Sequence, residues 1–234
     1  MNQYRFTSPG LFPPVIKNLL IINVLVFLAQ SVFGKSHPYE AENLFALHDI
    51  HSVYFRPHQL ITHMFMHGGA GHLFFNMFAL WMFGTVLESR LGSKRFLTFY
   101  LLSGLGAALL HLGVLYMEMQ DVMRVYNNLP GEMQLELLYS PEFKVNIPTV
   151  GASGAVFGCL AAFGYLFPNS PIYIYFLFPM KAKWFVILYA GLELMMAVQN
   201  SAGDTVAHFA HLGGALTGFL IVYFWNKTNR RTFY

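Results

Sequence analysis

The stretch NIPTVGASGAVFGCLAAFGYLFP at residues 146–168 decides the fold and raises the question of function. Most of it is apolar, over about the length that a helix needs to cross a ~30 Å hydrocarbon core. Its beginning carries a serine between small residues, in GASG at 151–154. A hydroxyl at that position either packs against a neighbouring helix or serves as a nucleophile. The choice depends on which other polar groups reach the same depth.

The composition is that of a polytopic membrane protein. Of the 234 residues, 56% are hydrophobic and 11% are charged, and the mean hydropathy is +0.47, whereas soluble domains have about 25% charged residues. We therefore predict an all-α membrane bundle, formed by a single domain over residues 1–234 and embedded in the lipid bilayer. The net charge of +3 is too small to indicate a nucleic-acid partner. No cofactor is expected, and the sequence gives no clear sign of an oligomer.

Six apolar segments predict six transmembrane helices. The connections between them are unequal: 34–71 and 117–148 are long and polar, and EMQLELL at 132–138 is expected to form a short interfacial helix. Each of the six apolar segments has a length close to the ~20 residues that a membrane-spanning helix needs. The predicted spans, numbered 1 to 6, are about 15–33, 72–88, 96–116, 149–167, 183–199 and 206–225.

The distribution of basic residues predicts the orientation. With a cytoplasmic N-terminus, ten of the 14 Lys and Arg residues fall on the inner side, as the positive-inside rule requires. Those on the outer side are Lys35, Arg56, Arg124 and Lys144. We therefore predict a multi-pass protein of the plasma (inner) membrane with both termini in the cytoplasm.

Three predicted helices enter from the outer face with polar residues in their first two turns. Span 2 brings His72 and Asn76, span 4 brings Ser153, and span 6 brings His208 and His211. At ~1.5 Å rise per residue, these groups lie in one layer very roughly 5–10 Å below the outer surface. Polar groups inside a bilayer are costly and tend to mark function. This layer is therefore the predicted site.

Ser153 needs a general base to become a nucleophile, and His211 is the predicted base. His208 is a rival, because it lies one turn earlier on a neighbouring face. Asp204 precedes His211 by about two turns and is expected to be a solvated loop carboxylate, so we expect a Ser-His dyad without an acid.

Glycines explain how the serine and the imidazole could meet. Gly214 and Gly218 follow His211 along one helix face, and span 4 has a matching GxxxG at 154–158. Glycines at this spacing let two membrane helices approach closely. The alternative is that these glycines serve packing alone, with the serine and histidine as interhelical hydrogen-bonding groups.

His72 and Asn76 are predicted to bind an oxyanion. They lie one turn apart on one face of span 2, and both can donate hydrogen bonds to the negative oxygen formed when a carbonyl is attacked. The backbone N–H of Ser153, near the positive end of its helix, adds a third donor. The alternative is that Asn76 only bonds to a neighbouring helix.

Two carboxylates lie within predicted spans. Glu88, at the inner end of span 2, is expected to pair with Arg90, Lys94 or Arg95 at the cytoplasmic surface. Glu193 falls near the middle of span 5, where a carboxylate either marks function or is neutral and hydrogen-bonded. The sequence assigns no role to Glu193.

Histidines at 58, 63, 67 and 72 raise the question of a metal site. Zinc proteases usually carry H-E-x-x-H, and no carboxylate accompanies this group. We therefore predict no metal, and we expect structural hydrogen bonds from His63 and His67.

The motifs resemble those of the rhomboid intramembrane serine proteases in their compact six-span bacterial form. HMFMHGGAGHLFFN at 63–76, GASG at 151–154 and AHLGGALTG at 210–218 occur in the order found in that family. The resemblance covers roughly residues 15–225. It implies that Ser153 is the nucleophile and His211 the base.

The resemblance also implies an oxyanion site and a route for the substrate. The oxyanion would be bound by His72 and Asn76, with the backbone of Ala152 and Ser153 nearby. A first loop lying in the membrane, here 34–71, and lateral entry of a substrate helix near span 5 are further implications. The implied supporting positions are Gly151, Gly154, Phe157, Gly214, Gly218 and Arg56.

Two positions depart from the pattern of the family. Phe55-Arg56 stands where Trp-Arg is common, so the guanidinium is kept and its aromatic neighbour differs. Phe157 stands where a Tyr commonly stacks on the catalytic imidazole, so a ring face is kept and the phenol hydroxyl is lost.

These observations predict a serine endopeptidase that cleaves transmembrane segments of membrane proteins. The alternative is a non-catalytic rhomboid-like protein that binds membrane proteins or serves in their quality control, although such relatives typically lack the serine or the histidine. A transporter using the polar layer is a third possibility. Transporters often have interrupted helices in symmetric positions, and the sequence has none.

Overall fold

The computed structural model describes residues 10–36, 39–174, 177–199 and 206–228. Most of these residues are helical, as predicted. The helices are α1 Pro14–Ser36, α2 Glu40–Phe45, α3 Gln59–Thr62, α4 Ala70–Ala79, α5 Thr85–Leu91, α6 Ser93–Asn127, α7 Gly131–Leu138, α8 Ser153–Leu166, α9 Ala182–Gln199 and α10 His208–Thr228.

Several short elements connect these helices. A π-helical turn at Leu80–Gly84 joins α4 to α5 in one continuous helix, Ala70–Leu91, and 3-10 turns occur at His63–Phe65 and Lys144–Asn146. An antiparallel hairpin, β1 Pro171–Ile174 and β2 Phe178–Lys181, connects α8 to α9. The hairpin was not expected from the sequence.

Five helices among the described residues are long and apolar enough to cross a membrane. They are α1, the α4–α5 helix, α6, α9 and α10. The remaining predicted span, span 4, corresponds to α8, which has only 14 residues and is therefore about 21 Å long. The helical membrane bundle is confirmed, and the number of complete spans stays a prediction.

The short helix α8 lies at the centre of the bundle. Ten of its 14 residues are buried, and it packs against α6, α9, α10 and the α4–α5 helix. Because its neighbours surround it, α8 presents little surface to lipid. A polar side chain at its outer end is therefore enclosed by protein rather than by acyl chains.

Small residues bring three helices into backbone contact around α8. A Cβ on Gly214 would overlap the carbonyl oxygen of Gly154, and a Cβ on Gly218 would lie 2.7 Å from the Cα of Gly158. On the opposite side, a Cβ on Gly158 would lie 2.6 Å from the Cβ of Ser103 in α6. The two GxxxG pairs thus meet as the sequence predicts, and a larger side chain at these positions forces the helices apart.

Helix α6 is longer than predicted, because it continues from the expected end at 116 to Asn127. Its 35 residues span about 52 Å, well beyond the hydrocarbon core. The extension, α7 and the following loop enclose a separate apolar cluster of Met119, Phe143 and Val145. Helix α7 coincides with the interfacial helix predicted at 132–138.

Glu88 has a different role from the one predicted. It is 2% exposed, and its two carboxylate oxygens accept hydrogen bonds from the N–H groups of Val15 (3.0 Å) and Ile16 (2.9 Å) at the start of α1. The hydroxyl of Ser93 donates to the same carboxylate at 2.6 Å. The first N–H groups of a helix have no intrahelical acceptor. Glu88 therefore caps α1, and the expected pairing with the basic residues that follow it is wrong.

Candidate active site

The turn before α8 presents Ser153 at the first position of the helix. Gly151 has φ +133°, a conformation that glycine adopts without the strain of a side chain. Its N–H donates to the carbonyl oxygen of His63 at 3.0 Å. A Cβ on Gly151 would lie 2.9 Å from Nε2 of His72 and 3.5 Å from Oγ of Ser153. The absence of a side chain at 151 therefore lets the His72 ring lie over the turn, facing the serine.

Ser153 and His211 are in hydrogen-bonding contact. Oγ of Ser153 lies 2.9 Å from Nε2 of His211. The ring of Phe157, one turn further along α8, stacks on the imidazole at a centroid distance of 4.2 Å and an interplanar angle of 6°. Tyr189 of α9 stacks in turn on Phe157 at 5.1 Å. Phenylalanine at 157 thus supplies the ring face that the resemblance implies.

A carboxylate lies behind the imidazole. Oε2 of Glu193 is 2.9 Å from Nδ1 of His211 and 2.6 Å from Nδ1 of His208. All three residues are less than 10% exposed. The expectation of no acid beside the base is wrong, since Glu193 occupies that position. Its location in the middle of an apolar helix was the signal that could have identified it.

The Glu193 contact determines how the protons of His211 are arranged. An ionised carboxylate only accepts hydrogen bonds, so Nδ1 of His211 carries the proton and donates it to Glu193. Nε2 then has a free lone pair, and the hydroxyl of Ser153 donates to it. A serine hydroxyl that donates to an imidazole is the arrangement needed for general-base activation.

His72 and Asn76 lie on the same side of the site. The N–H of Gly68 donates to Nδ1 of His72 at 3.4 Å, which leaves the ring proton on Nε2, the atom nearest the turn at 151. Asn76 is buried, and one of its amide N–H groups donates to the carbonyl oxygen of His72 at 3.0 Å. Its second N–H is available to another acceptor. Both residues therefore keep a donor, as an oxyanion site requires.

These groups line one cavity of about 840 Å³. Its walls continue from the polar layer towards the middle of the bundle, between the α4–α5 helix and α9. Glu193 and His208 are not among its lining residues. Its lining residues include Ser153, His211, His72, Asn76, Met82 and Phe185.

The side chains of Arg56 and His63 bond to nearby backbone carbonyl groups and not to the serine. The guanidinium of Arg56 is exposed and donates to the carbonyl oxygens of Val53 (3.0 Å) and Phe55 (2.8 Å), so it closes its own loop. Nδ1 of His63 donates to the carbonyl oxygen of Gln59 at 2.7 Å. Burial lowers the pKa of His63 to about 4, so this ring is neutral at pH 7. Asp204 lies outside the described residues.

The histidines at 58–72 do not assemble a metal site within the described residues. The one group of three possible ligands found there is Glu193, His208 and His211, whose ligand atoms lie within 4.8 Å of one another. Ligand atoms around a tetrahedral zinc are about 3.3 Å apart. The contacts of 2.6 and 2.9 Å to one carboxylate oxygen are instead those of hydrogen bonds.

Comparison with known proteins agrees with this geometry. Residues 54–227 match the Rhomboid domain family. The chain is 31% identical over 168 residues to Rhomboid protein 1, mitochondrial, of Saccharomyces cerevisiae, covering 72% of this chain and 42% of that protein. It is 31% identical over 162 residues to Rhomboid protease GluP of Bacillus subtilis, covering 69% of this chain and 24% of that protein.

A plant relative matches over a longer part of the chain. RHOMBOID-like protein 12, mitochondrial, of Arabidopsis thaliana is 28% identical over 202 residues, which is 86% of this chain and 55% of that protein. The chain thus spans from about a quarter to just over half the length of these three relatives. The family match covers well over half of the chain and includes every residue of the site. The chain is therefore a multi-pass membrane protein of the rhomboid family.

Proposed function

We propose that this protein is an intramembrane serine endopeptidase that cleaves transmembrane segments of other membrane proteins. The observation that carries the proposal is the 2.9 Å contact between Oγ of Ser153 and Nε2 of His211, at the wall of a cavity that also holds His72 and Asn76. Membership of a family with named proteases supports it.

The reaction follows from the positions of two side chains. Oγ of Ser153 attacks the carbonyl carbon of the scissile peptide bond, and its proton passes to Nε2 of His211. The tetrahedral intermediate then collapses, the C–N bond breaks, and His211 returns the proton to the leaving amine. Water next attacks the acyl-enzyme with His211 again as the base. This step releases a carboxylic acid and restores the hydroxyl of Ser153.

The negative oxygen of the intermediate needs donors. Nε2–H of His72 and the second amide N–H of Asn76 supply them, together with the backbone N–H of Ser153 at the start of α8. Such donors are worth most in a site that excludes bulk water, because the effective dielectric constant there is low. Enclosure of α8 by its neighbours provides that setting.

The substrate reaches the serine sideways from the lipid. The cavity borders both the α4–α5 helix and α9, so a transmembrane segment of a substrate would enter between these two helices. With both termini in the cytoplasm of a plasma (inner) membrane, the polar layer opens to the outer face. Water for deacylation enters from that side.

The test uses purified protein in detergent or liposomes with a labelled single-span substrate. Ser153→Ala and His211→Ala are each expected to abolish cleavage, because one removes the nucleophile and the other its base. The control is Ser89→Ala, since Ser89 is an exposed helix serine whose hydroxyl bonds only to its own helix.

Fluorophosphonate labelling provides a second readout. Ser153 of the parent protein is expected to be labelled, and His211→Ala is expected to lose labelling. Cleavage at the parent rate by either active-site variant would defeat the proposal. A folded parent protein that neither labels nor cleaves would instead indicate a role in binding membrane proteins.

A further inference from the structure

We propose that Glu193 is a positioning residue for the base, so that the protease works through a Ser153–His211–Glu193 triad in which His208 holds the carboxylate. This inference rests on the proposed function and adds a component to it. The catalytic reaction itself needs only the serine and the histidine. The carboxylate determines which nitrogen of the base carries the proton and stabilises the charge that the base acquires.

The first argument is the continuous chain of contacts. The hydroxyl of Ser153 donates to Nε2 of His211 at 2.9 Å, and Nδ1–H of His211 donates to Oε2 of Glu193 at 2.9 Å. When the serine proton moves to Nε2, the imidazole becomes a cation. A carboxylate at hydrogen-bonding distance from the opposite nitrogen stabilises that cation, because hydrogen bonds between charged groups are roughly twice as strong as neutral ones.

The second argument is the burial of the carboxylate. Glu193 is 4% exposed, and burial of a charge in the middle of a bundle is costly unless it is paired. Both imidazole N–H groups point to one oxygen, Oε2, with His208 at 2.6 Å and His211 at 2.9 Å. Two donors offset part of the desolvation cost. His208 is therefore the group that keeps the carboxylate in place while His211 changes its charge.

The third argument is that α9 supports the base both directly and through Phe157. Glu193 bonds to the Nδ1 edge of His211, and Tyr189, one turn earlier on α9, stacks on Phe157, which covers the face of the imidazole. Ser153 bonds to the remaining nitrogen. The ring is thus restrained at both nitrogens and on one face. None of these restraints requires Glu193 to touch the substrate, in agreement with its absence from the cavity wall.

The experiment compares steady-state kinetics of Glu193→Ala, Glu193→Gln and Glu193→Asp with the parent protein. Glu193→Ala is expected to lower kcat on the order of 10²-fold, the effect of losing one charge-assisted hydrogen bond in the transition state. KM is expected to stay within about twofold, because the residue does not line the cavity. Glu193→Asp keeps the charge and is expected to recover part of kcat. Glu193→Gln keeps an acceptor without the charge and is expected to recover less.

The matched control is Glu88→Gln. Glu88 is also a buried carboxylate within a membrane helix, but its partners are the first turn of α1 and Ser93. Its kcat per folded molecule is expected to match that of the parent. His208→Ala is expected to lower kcat less than Glu193→Ala, and to have no further effect when combined with it.

A spectroscopic readout tests the inference on the parent protein alone. Nitrogen-15 NMR of labelled histidine, with the His211 signal assigned from His211→Ala, is expected to show Nδ1 protonated and Nε2 unprotonated at pH 8. Glu193→Ala is expected to shift His211 towards a mixture of the two forms. An Nε2–H form in the parent would overturn the inference, whether or not the variants fold.

The two proposals fail in different ways. If Ser153→Ala abolishes cleavage while Glu193→Ala retains the parent kcat, the protease assignment stands and the triad is refuted. If Ser153→Ala cleaves at the parent rate, the proposed function fails first. A kcat that drops equally in Glu193→Ala and Glu193→Asp, with the imidazole tautomer unchanged, would reduce Glu193 to a packing role and overturn the triad.

Discussion

Two buried carboxylates lie at different depths of this bundle, and their partners differ. Glu88 accepts hydrogen bonds from two backbone N–H groups and a serine hydroxyl. Glu193 accepts hydrogen bonds from two imidazoles, one of which also contacts a serine. A backbone N–H group does not gain or lose a proton in a reaction, whereas an imidazole can. The partner, rather than the burial, therefore distinguishes a carboxylate that caps a helix from one that is placed to position a base.

The largest expected effect concerns the base that Glu193 contacts. His211→Ala is expected to lower kcat by at least about 10³-fold, the scale seen when a member of a Ser-His-acid triad is removed. The variant is expected to stay folded in detergent with a lower unfolding temperature, because His208 still donates to Glu193 and the glycine contacts between α8 and α10 remain. Cleavage assays and unfolding measured on the same sample check this separation. If His211→Ala is unfolded under the assay conditions, its loss of cleavage would instead reflect the loss of packing.

The next largest effect concerns the structural carboxylate. Glu88→Ala leaves the first N–H groups of α1 without their acceptor, and each buried unsatisfied donor costs ~1–3 kcal/mol. We expect a loss of about 3 kcal/mol of stability with kcat per folded molecule unchanged. Thermal unfolding and cleavage by the same sample measure both. Glu136→Ala in the exposed face of α7 is the control, and an equal loss there would remove the distinction.

A smaller effect concerns a buried imidazole that lacks a carboxylate. Nδ1–H of His63 donates to a backbone carbonyl, and burial lowers the pKa of this ring to about 4. An unfolded histidine has a pKa of about 6.5. Between these two values the unfolded chain binds a proton that the folded chain does not. The contribution of His63 to stability therefore falls as the pH drops from about 6.5 to about 4, and this contribution is constant above that window.

The contribution of His63 can be isolated by mutation. His63→Gln keeps a donor for the carbonyl oxygen of Gln59 and cannot be protonated. We expect the loss of stability between pH 7.5 and pH 5 to be smaller in this variant, by on the order of 2 kcal/mol. Unfolding midpoints of parent and variant at both pH values measure the difference. An identical pH dependence in the two proteins contradicts it.

The smallest effect concerns the face of the base. Phe157 contacts His211 by stacking and carries no charge, so Phe157→Leu is expected to remove ~1 kcal/mol of interaction and to lower kcat/KM several-fold. Phe157→Tyr keeps the ring and is expected to stay within about threefold of the parent. Steady-state kinetics distinguish these outcomes. If Phe157→Leu loses as much activity as Glu193→Ala, stacking on the ring face would be the main restraint on His211 instead.

Much of the site could be predicted from three short motifs, because each lies at the outer end of a helix whose direction follows from the loops. Ser153, His211, His72 and Asn76 share a depth that helix rise alone predicts. The contact between the two GxxxG pairs also follows from their spacing. Such features depend on distance along a helix axis, which a sequence reports well.

The roles of Glu193 and Glu88 could not be predicted, because their partners lie on other helices. The partner of Glu193 is 18 positions away on another helix, and no sequence pattern gives the rotation of one helix relative to the next. The partners of Glu88 include backbone groups 72 and 73 positions away, which a search for opposite charges overlooks. Helix α6 ends later than predicted, because its polar extension continues as a helix beyond the membrane core.

The position of Glu193 on α9 has a consequence for the order of events in a catalytic cycle. The carboxylate belongs to a helix that borders the passage, whereas the imidazole it contacts belongs to α10. Any outward displacement of α9 that widens the passage also lengthens the carboxylate–imidazole contact. In the protease proposed above, entry of a substrate segment and cleavage of its peptide bond would therefore take place in different conformations. The serine would be fully activated only with α9 close enough to α10 for Glu193 to contact His211.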